Sequence, residues 1–460
     1  MGKIRLLLVM AMFSTTIFGQ DGTLTPELLR NLQTNAALDS RTQALMNAIT
    51  NTDLKQLALN RTLINQYNDV FSFKLKTSGI TDQQSSGRCW LFAAFNVMRP
   101  GVLKKFNLTN FEFSENYTMF WDKLEKINLF LEYIIETADK DIEDRELQAI
   151  LQDPVPDGGW WNYWVNLLEK YGCVPKEIMP ETYNSSRTQN MNRILNTLAI
   201  RDAVELRQLA QKGQKPSALR QRKKELLLNY YKVLVLHLGP PPEKFTWRYK
   251  DKDEKVFEQT YTPIEFYRAT IDFNLKDFVT IADHAMYPYN KHYEIKMCRN
   301  IAGTPNMDFI NLPVEVLKDY AFKTIQDSIP IWFAADVGID MDREKGLMAN
   351  GLYDYESLLG FDLAVNKADR LRYRHSIPGH AMALIGVDIK ADQPQKWLVE
   401  NSWGGKVGKD GYWIMQDDWF DQYVFVVIVP KKYLAPEHVQ LLEVKPTVLP
   451  AWDPLRQFLN

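Results

Sequence analysis

The chain has 460 residues, of which 45% are hydrophobic, 12% aromatic and 24% charged. That composition supplies a buried core and excludes a disordered or collagen-like chain, while the length allows two or three domains, or one large domain with insertions. Lys plus Arg number 55 against 57 Asp plus Glu, so the net charge of −2 provides no global basic field for nucleic acid or anionic membrane. Three cysteines (Cys89, Cys173 and Cys298) are too few for a disulfide scaffold, and the odd count leaves at least one free thiol.

Lys3 and Arg5 precede an apolar stretch from Leu6 to Phe18, followed by Gly19 and the polar Gln20. This pattern predicts a signal peptide over residues 1–19 and export to the periplasm or beyond. The stretch is shorter than the roughly 20 apolar residues that a spanning helix needs, so no stable membrane span is expected once it is removed. Residues 20–70 read as a helical lead-in, with Leu28, Leu29, Leu32, Leu45, Met46 and Ile49 at helical spacing. Residues 71–80 look extended and end in the turn-rich run 81–87, after which CWLFAAFNVM (89–98) is apolar enough for a buried helix.

Ser114 and Glu115 open an amphipathic segment running to Lys140, and residues 186–236 alternate apolar and charged positions at helical intervals. Arg220, Arg222, Lys223 and Lys224 read as a solvated helix face, and Pro240 to Pro242 as a rigid loop beside the packing residues Phe245 and Trp247. The period then changes. Segments 331–337, 381–387, 397–402, 411–415 and 423–429 are short, β-prone and punctuated by Gly, Pro and Asp, so the C-terminal third is expected to be a sheet.

Cys89 falls at the first turn of the buried helix, where backbone amides favour a thiolate. Gln83, six residues upstream, is a neutral amide donor placed to share an oxyanion with the Cys89 N–H. His380 begins the strand AMALIGV, and Asn401 ends the next one, where its amide oxygen can fix the histidine tautomer and Trp403 can shield that bond from water. Gln, Cys, His and Asn thus supply an oxyanion donor, a nucleophile, a base and an orienter. His284 and His292, with Asp283 nearby, complete no metal-ligand set, so neither metal nor cofactor is expected. Cys173 and Cys298 are expected as separate buried thiols.

These residues carry a resemblance. QQSSGRCWLFA (83–93), GHAM (379–382) and ENSWG (400–404) are similar to the three signatures of the papain-like cysteine peptidases. His380 lies about 290 residues after Cys89, against the roughly 130–150 usual for papain, which requires insertions. Further blocks resemble the branch that holds bleomycin hydrolase and aminopeptidase C: FSENY (113–117), DGGW (157–160), MPETYNSS (179–186), LYDYESLLGFDL (352–363) and LPAWDP (449–454).

The resemblance implies an α+β, papain-like fold, with a helical half, an antiparallel β half and large helical insertions. The layout it implies is a nucleophile-bearing helical half at 71–185, a helical insertion at 186–330, a β half with His380 and Asn401 at 331–448, and a C-terminal arm at 449–460 that enters the cleft. It implies a broad-specificity cysteine aminopeptidase acting on peptides as a homohexamer, with Cys89, His380, Asn401 and Gln83 catalytic. Gly158, Gly159, Trp160, Trp403 and the terminal Asn460 are the implied substrate-binding residues. Trp160 stands where the branch often has Gln, which makes the adjoining subsite more apolar, and Asp82 stands where it commonly has Asn. The tail LRQFLN (455–460) is bulkier than the small residues usual there. A trimmed arm would give an endo- or carboxypeptidase, and a blocking arm a non-catalytic scaffold.

Overall fold

The computed structural model describes residues 22–36 and 38–459. The signal-peptide segment, Asn460 and the side chains beyond Arg456 lie outside the described residues. The chain divides into two units, one ending at Leu59 and one spanning Asn60–Asn460. In the first, the helices Pro26–Asn35, Ser40–Asn51 and Leu54–Ala58 each begin at a side chain that accepts a backbone N–H: Thr25, Asp39 and Asp53. Helix is therefore what forms in the stretch read as a helical lead-in.

The larger unit holds the two halves of the site. The Cys89–Lys105 helix is buried along most of its length, which explains why it carries no amphipathic pattern. Beside it runs the Glu115–Glu136 helix, capped by Ser114 Oγ accepting from Tyr117 N. This helix stops at the Thr137 cap, short of the Lys140 expected from the sequence. The long helices Gln189–Gln211 and Pro216–Leu238 pack against it. Three members of the basic run are paired there: Arg220 and Lys223 reach Glu132, and Arg222 reaches Glu205 and Glu225.

The second half is a sheet whose central strands are Val424–Pro430, Ile331–Ala335, His380–Lys390, Gln393–Glu400 and Tyr412–Gln416, each antiparallel to its neighbour. Register puts His380 opposite Ala335, and Ala383 opposite Glu400. Trp332, Trp397, Trp413 and Trp419 are fully buried about this sheet, each removing apolar area worth on the order of 2–3 kcal/mol.

The span 186–330 differs from the expected helical insertion. After its two long helices it forms a hairpin, Phe245–Lys250 with Val256–Tyr261, and then the strands Phe278–Ala282, Lys291–Ile295 and Asp308–Asn311, which extend the large sheet. In FTWRYK, residues Phe245 and Trp247 turn inward while Thr246 and Arg248 face out, a period of two. The extended stretch at 71–80 shrinks to Phe73–Lys74, paired with Val387 and Gly386.

Two buried ion pairs bind these elements together. Arg99 of the Cys89–Lys105 helix meets Glu400 at the end of the Gln393–Glu400 strand at 2.8 Å, and Lys367 meets Asp283 at 2.6 Å. Trp332 Nε1 also donates to the Trp90 carbonyl at 3.1 Å, so helix and sheet are joined directly beside Cys89.

Candidate active site

Cys89 is the first residue of its helix, after Arg88, and is 6% exposed. Its sulfur lies within reach of the Ala381 backbone N–H, which belongs to the residue following His380. Helix start and strand start therefore converge although the chain between them is almost three hundred residues long. Burial pushes the thiol up to about 11, outweighing the amides of Ala381 and Trp90, which favour the thiolate. The helix start alone thus does not deliver the low thiol pKa expected from the sequence.

His380 opens its strand, and Nε2 lies 2.8 Å from Asn401 Oδ1. Burial pushes the imidazole down to about 4, a shift opposed by Asn401 and reinforced by Arg343. The Trp403 ring covers the histidine at 4.6 Å and 31°, and the Arg343 guanidinium lies 4.5 Å from the other partner of that stack, Trp403 itself. Trp403 therefore lies against the ring whose Nε2 is bonded to Asn401.

Gln83 is fixed at both ends of its amide. Its Nε2 donates to the Ser86 carbonyl at 2.7 Å, and its Oε1 accepts from Ser402 Oγ at 2.7 Å. One Nε2 hydrogen remains for a ligand. Gln83 N donates to the Ser402 carbonyl, and Ser402 N donates to Asn401 Oδ1. The turn depends on Asp82: its carboxylate accepts from Gln84 N and Gln84 Nε2, holding Gln84 at φ +54°. Asp82 is thereby occupied within its own turn.

Arg88 completes this side. Its guanidinium forms a two-bond pair with Glu181 at 2.9 and 2.8 Å, and Nε donates to Ser86 Oγ. Ser86 and Ser402 lie inside the signature blocks but carry no chemistry of their own, so only geometry shows their part.

Gly158, Gly159 and Trp160 are buried. The Gly158 carbonyl accepts from Lys126 Nζ at 2.6 Å, and a Cβ on Gly159 would sit 2.6 Å from the Trp90 ring, so only glycine fits there. Trp160 caps the Trp161–Tyr171 helix, and its ring lies 6.0 Å from Trp332.

The other sequence candidates take structural places. His284 is buried and bonded to Asp453, and His292 to Asp308. Among the described residues no cluster of His, Cys, Asp or Glu could hold a metal ion. Cys173 and Cys298 are separate, buried and free. In the tail, Asp453 accepts from His284 and Tyr287, and Arg456 donates to the carbonyls of Ala149 and Ala451.

The peptidase C1-like family model matches residues 23–456. Aminopeptidase C of Streptococcus thermophilus is 40% identical over 416 residues, which is 90% of this chain and 94% of that protein. Human bleomycin hydrolase is 38% identical over 422 residues, 89% of this chain and 93% of that protein. The crystal structure of PepW from Lactobacillus rhamnosis superposes with a TM-score of 0.92 at 38% identity, covering 94% of this chain and 99% of that one. A thiol at a helix start, an imidazole held by an asparagine and a match along nearly the whole length make this chain a member of the peptidase C1-like family, in the branch of papain-like cysteine peptidases that holds aminopeptidase C and bleomycin hydrolase.

Proposed function

We propose that Cys89, His380, Asn401 and Gln83 carry the reaction of this cysteine-type aminopeptidase. The observation that supports the roles is the convergence of the Cys89 sulfur on the strand start that holds His380, with Asn401 at 2.8 Å behind the ring. With Nε2 committed to Asn401, Nδ1 is the nitrogen left for the thiol proton.

The sulfur attacks the carbonyl carbon of the first peptide bond as its proton passes to His380. Buried in isolation, thiol and imidazole would each be neutral at pH 7; formed together, thiolate and imidazolium stabilise one another. The remaining Gln83 N–H and the Cys89 backbone N–H receive the oxyanion. His380 then protonates the leaving amine, giving a thioester, and assists water in releasing the N-terminal amino acid. Cys89→Ala should abolish turnover of aminoacyl fluorophores while leaving the fold intact; retained turnover would refute the assignment.

Gly158, Gly159, Trp160, Trp403 and Asn460 are the proposed contacts for the substrate backbone and its free amine. A homohexamer is proposed from the family resemblance, with mass by light scattering as its test. Export is proposed from Lys3, Arg5 and the apolar stretch to Phe18; among the described residues no helix is long and apolar enough to cross a membrane. Intact mass of the mature protein in each cell fraction tests that reading.

A further inference from the structure

Asp157 stands one residue before the glycines and has no assigned part in the reaction, yet its carboxylate is bonded from three separate segments near Cys89. Its Oδ2 accepts from Gly87 N at 3.1 Å and from Thr188 Oγ1, and its Oδ1 pairs with Lys123 Nζ at 2.7 Å. Lys123 is fully buried and also donates to the Val155 carbonyl at 2.8 Å. The Asp157 carbonyl accepts from Trp90 Nε1 at 2.8 Å. Lys126, paired with Asp122 at 2.6 Å, donates to the carbonyls of Pro156 and Gly158.

The contacts fall on two different walls. Gly87 and Trp90 flank Cys89 on either side, whereas Val155, Pro156 and Gly158 belong to the segment that ends in the glycine pair. The approach is close enough that a Cβ on Gly87 would sit 2.6 Å from Asp157 Cβ. Burying two lysines and two aspartates is costly unless each charge is compensated, so the whole cluster acts as one unit. A fixed wall-to-wall distance matters because the glycine segment can hold a peptide backbone beside the sulfur only while its place relative to Cys89 is constant, so a loosened wall weakens substrate binding first.

We propose that Asp157 is a positioning residue that latches the glycine segment 158–159 to the turn carrying Cys89, and so sets how the peptide backbone is held against the sulfur. This rests on the reading of Cys89 as nucleophile and of the glycines as backbone contacts. The latch also places a carboxylate near the thiol: burial first, and then Asp157, raise Cys89, against the backbone amides of Ala381 and Trp90, which lower it. Lys123, Thr188 and Asn192 face the carboxylate, and Lys126 lies close enough to feel its charge.

Asp157→Asn keeps the shape and removes the charge. The expected result is a KM for a free-amine aminoacyl substrate raised by about tenfold with kcat changed by less than about threefold, while iodoacetamide still alkylates Cys89 and the alkylation profile moves to lower pH. A purely structural residue would lower turnover and alkylation together. An unchanged KM, or parallel loss of both readouts in folded protein, overturns the proposal. If Asp157→Asn does not fold, Thr188→Val decides by the same readouts, with a smaller rise in KM expected and no rise overturning it. Turnover persisting in Cys89→Ala is a separate result, striking at the nucleophile assignment instead.

Discussion

Ser402 donates its hydroxyl to Gln83 Oε1 at 2.7 Å and its backbone N–H to Asn401 Oδ1 at 2.7 Å, so one residue fixes both the proposed oxyanion donor and the amide proposed to orient the histidine. Oxyanion donor and orienter come from opposite halves of the fold, and Ser402 is where their geometry is made common.

Removing that hydroxyl leaves the Gln83 amide held only by its bond to the Ser86 carbonyl. Ser402→Ala is expected to lower kcat by about tenfold with little change in KM, against a loss of about 100-fold to 1000-fold for Gln83→Ala. The double variant should be no slower than Gln83→Ala alone, since Ser402 acts through Gln83; steady-state kinetics on the four proteins of the cycle check this.

The ionisation of Cys89 depends on its imidazole partner. With His380 present, iodoacetamide should label Cys89 at neutral pH. In His380→Ala no imidazole is left to take the proton and burial keeps the thiol protonated, so labelling at pH 7 should fall by at least about a hundredfold and recover only as pH rises. Equal labelling of the two proteins at pH 7 would refute the pairing.

Glu115 provides a stability test away from the reaction. Burial, with Glu181 and Glu112 nearby, pushes its carboxyl up to about 8 despite Lys176. The folded value lies above the unfolded one, so the folded state holds the proton more tightly, and this contribution is complete below about pH 4.5 and lost as pH rises through 8. Glu115→Gln cannot ionise. Its denaturation midpoint should therefore decline less than that of the wild type between pH 5 and 8, as thermal scans at the two pH values would show.

The tail offers a specificity test. Asp453 is buried on His284 and Tyr287, so the chain up to that residue is anchored. A chain ending at Pro454 should gain cleavage of N-acetylated peptides, while the full-length protein requires a free amine. Mass spectrometry of digests of one peptide in both forms distinguishes them.

Much of this was legible in the sequence because the site's chemistry is concentrated in short blocks. The strands from residue 331 onward announced themselves by β-branched and aromatic residues between Gly and Asp breaks. Phe278–Ala282 and Asp308–Asn311 did not, because strands of four or five residues that are mostly apolar carry no period that separates them from helix. The amides at the helix start do favour the thiolate, as the sequence indicates, but the burial that outweighs them is set by packing from segments remote in sequence and is not legible there. Asp157 was likewise illegible: Gly87, Lys123 and Thr188 reach it from three separate segments.

The Arg99–Glu400 bridge has a further consequence for the life of the protein. Its two ends are encoded about 300 residues apart, and the imidazole arrives only with the last fifth of the chain. A nascent polypeptide or a prematurely terminated fragment carries the sulfur without the apparatus that arms it. On the roles proposed for Cys89 and His380, hydrolytic capacity arrives only when synthesis is nearly complete, a form of latency that needs no separate inhibitor.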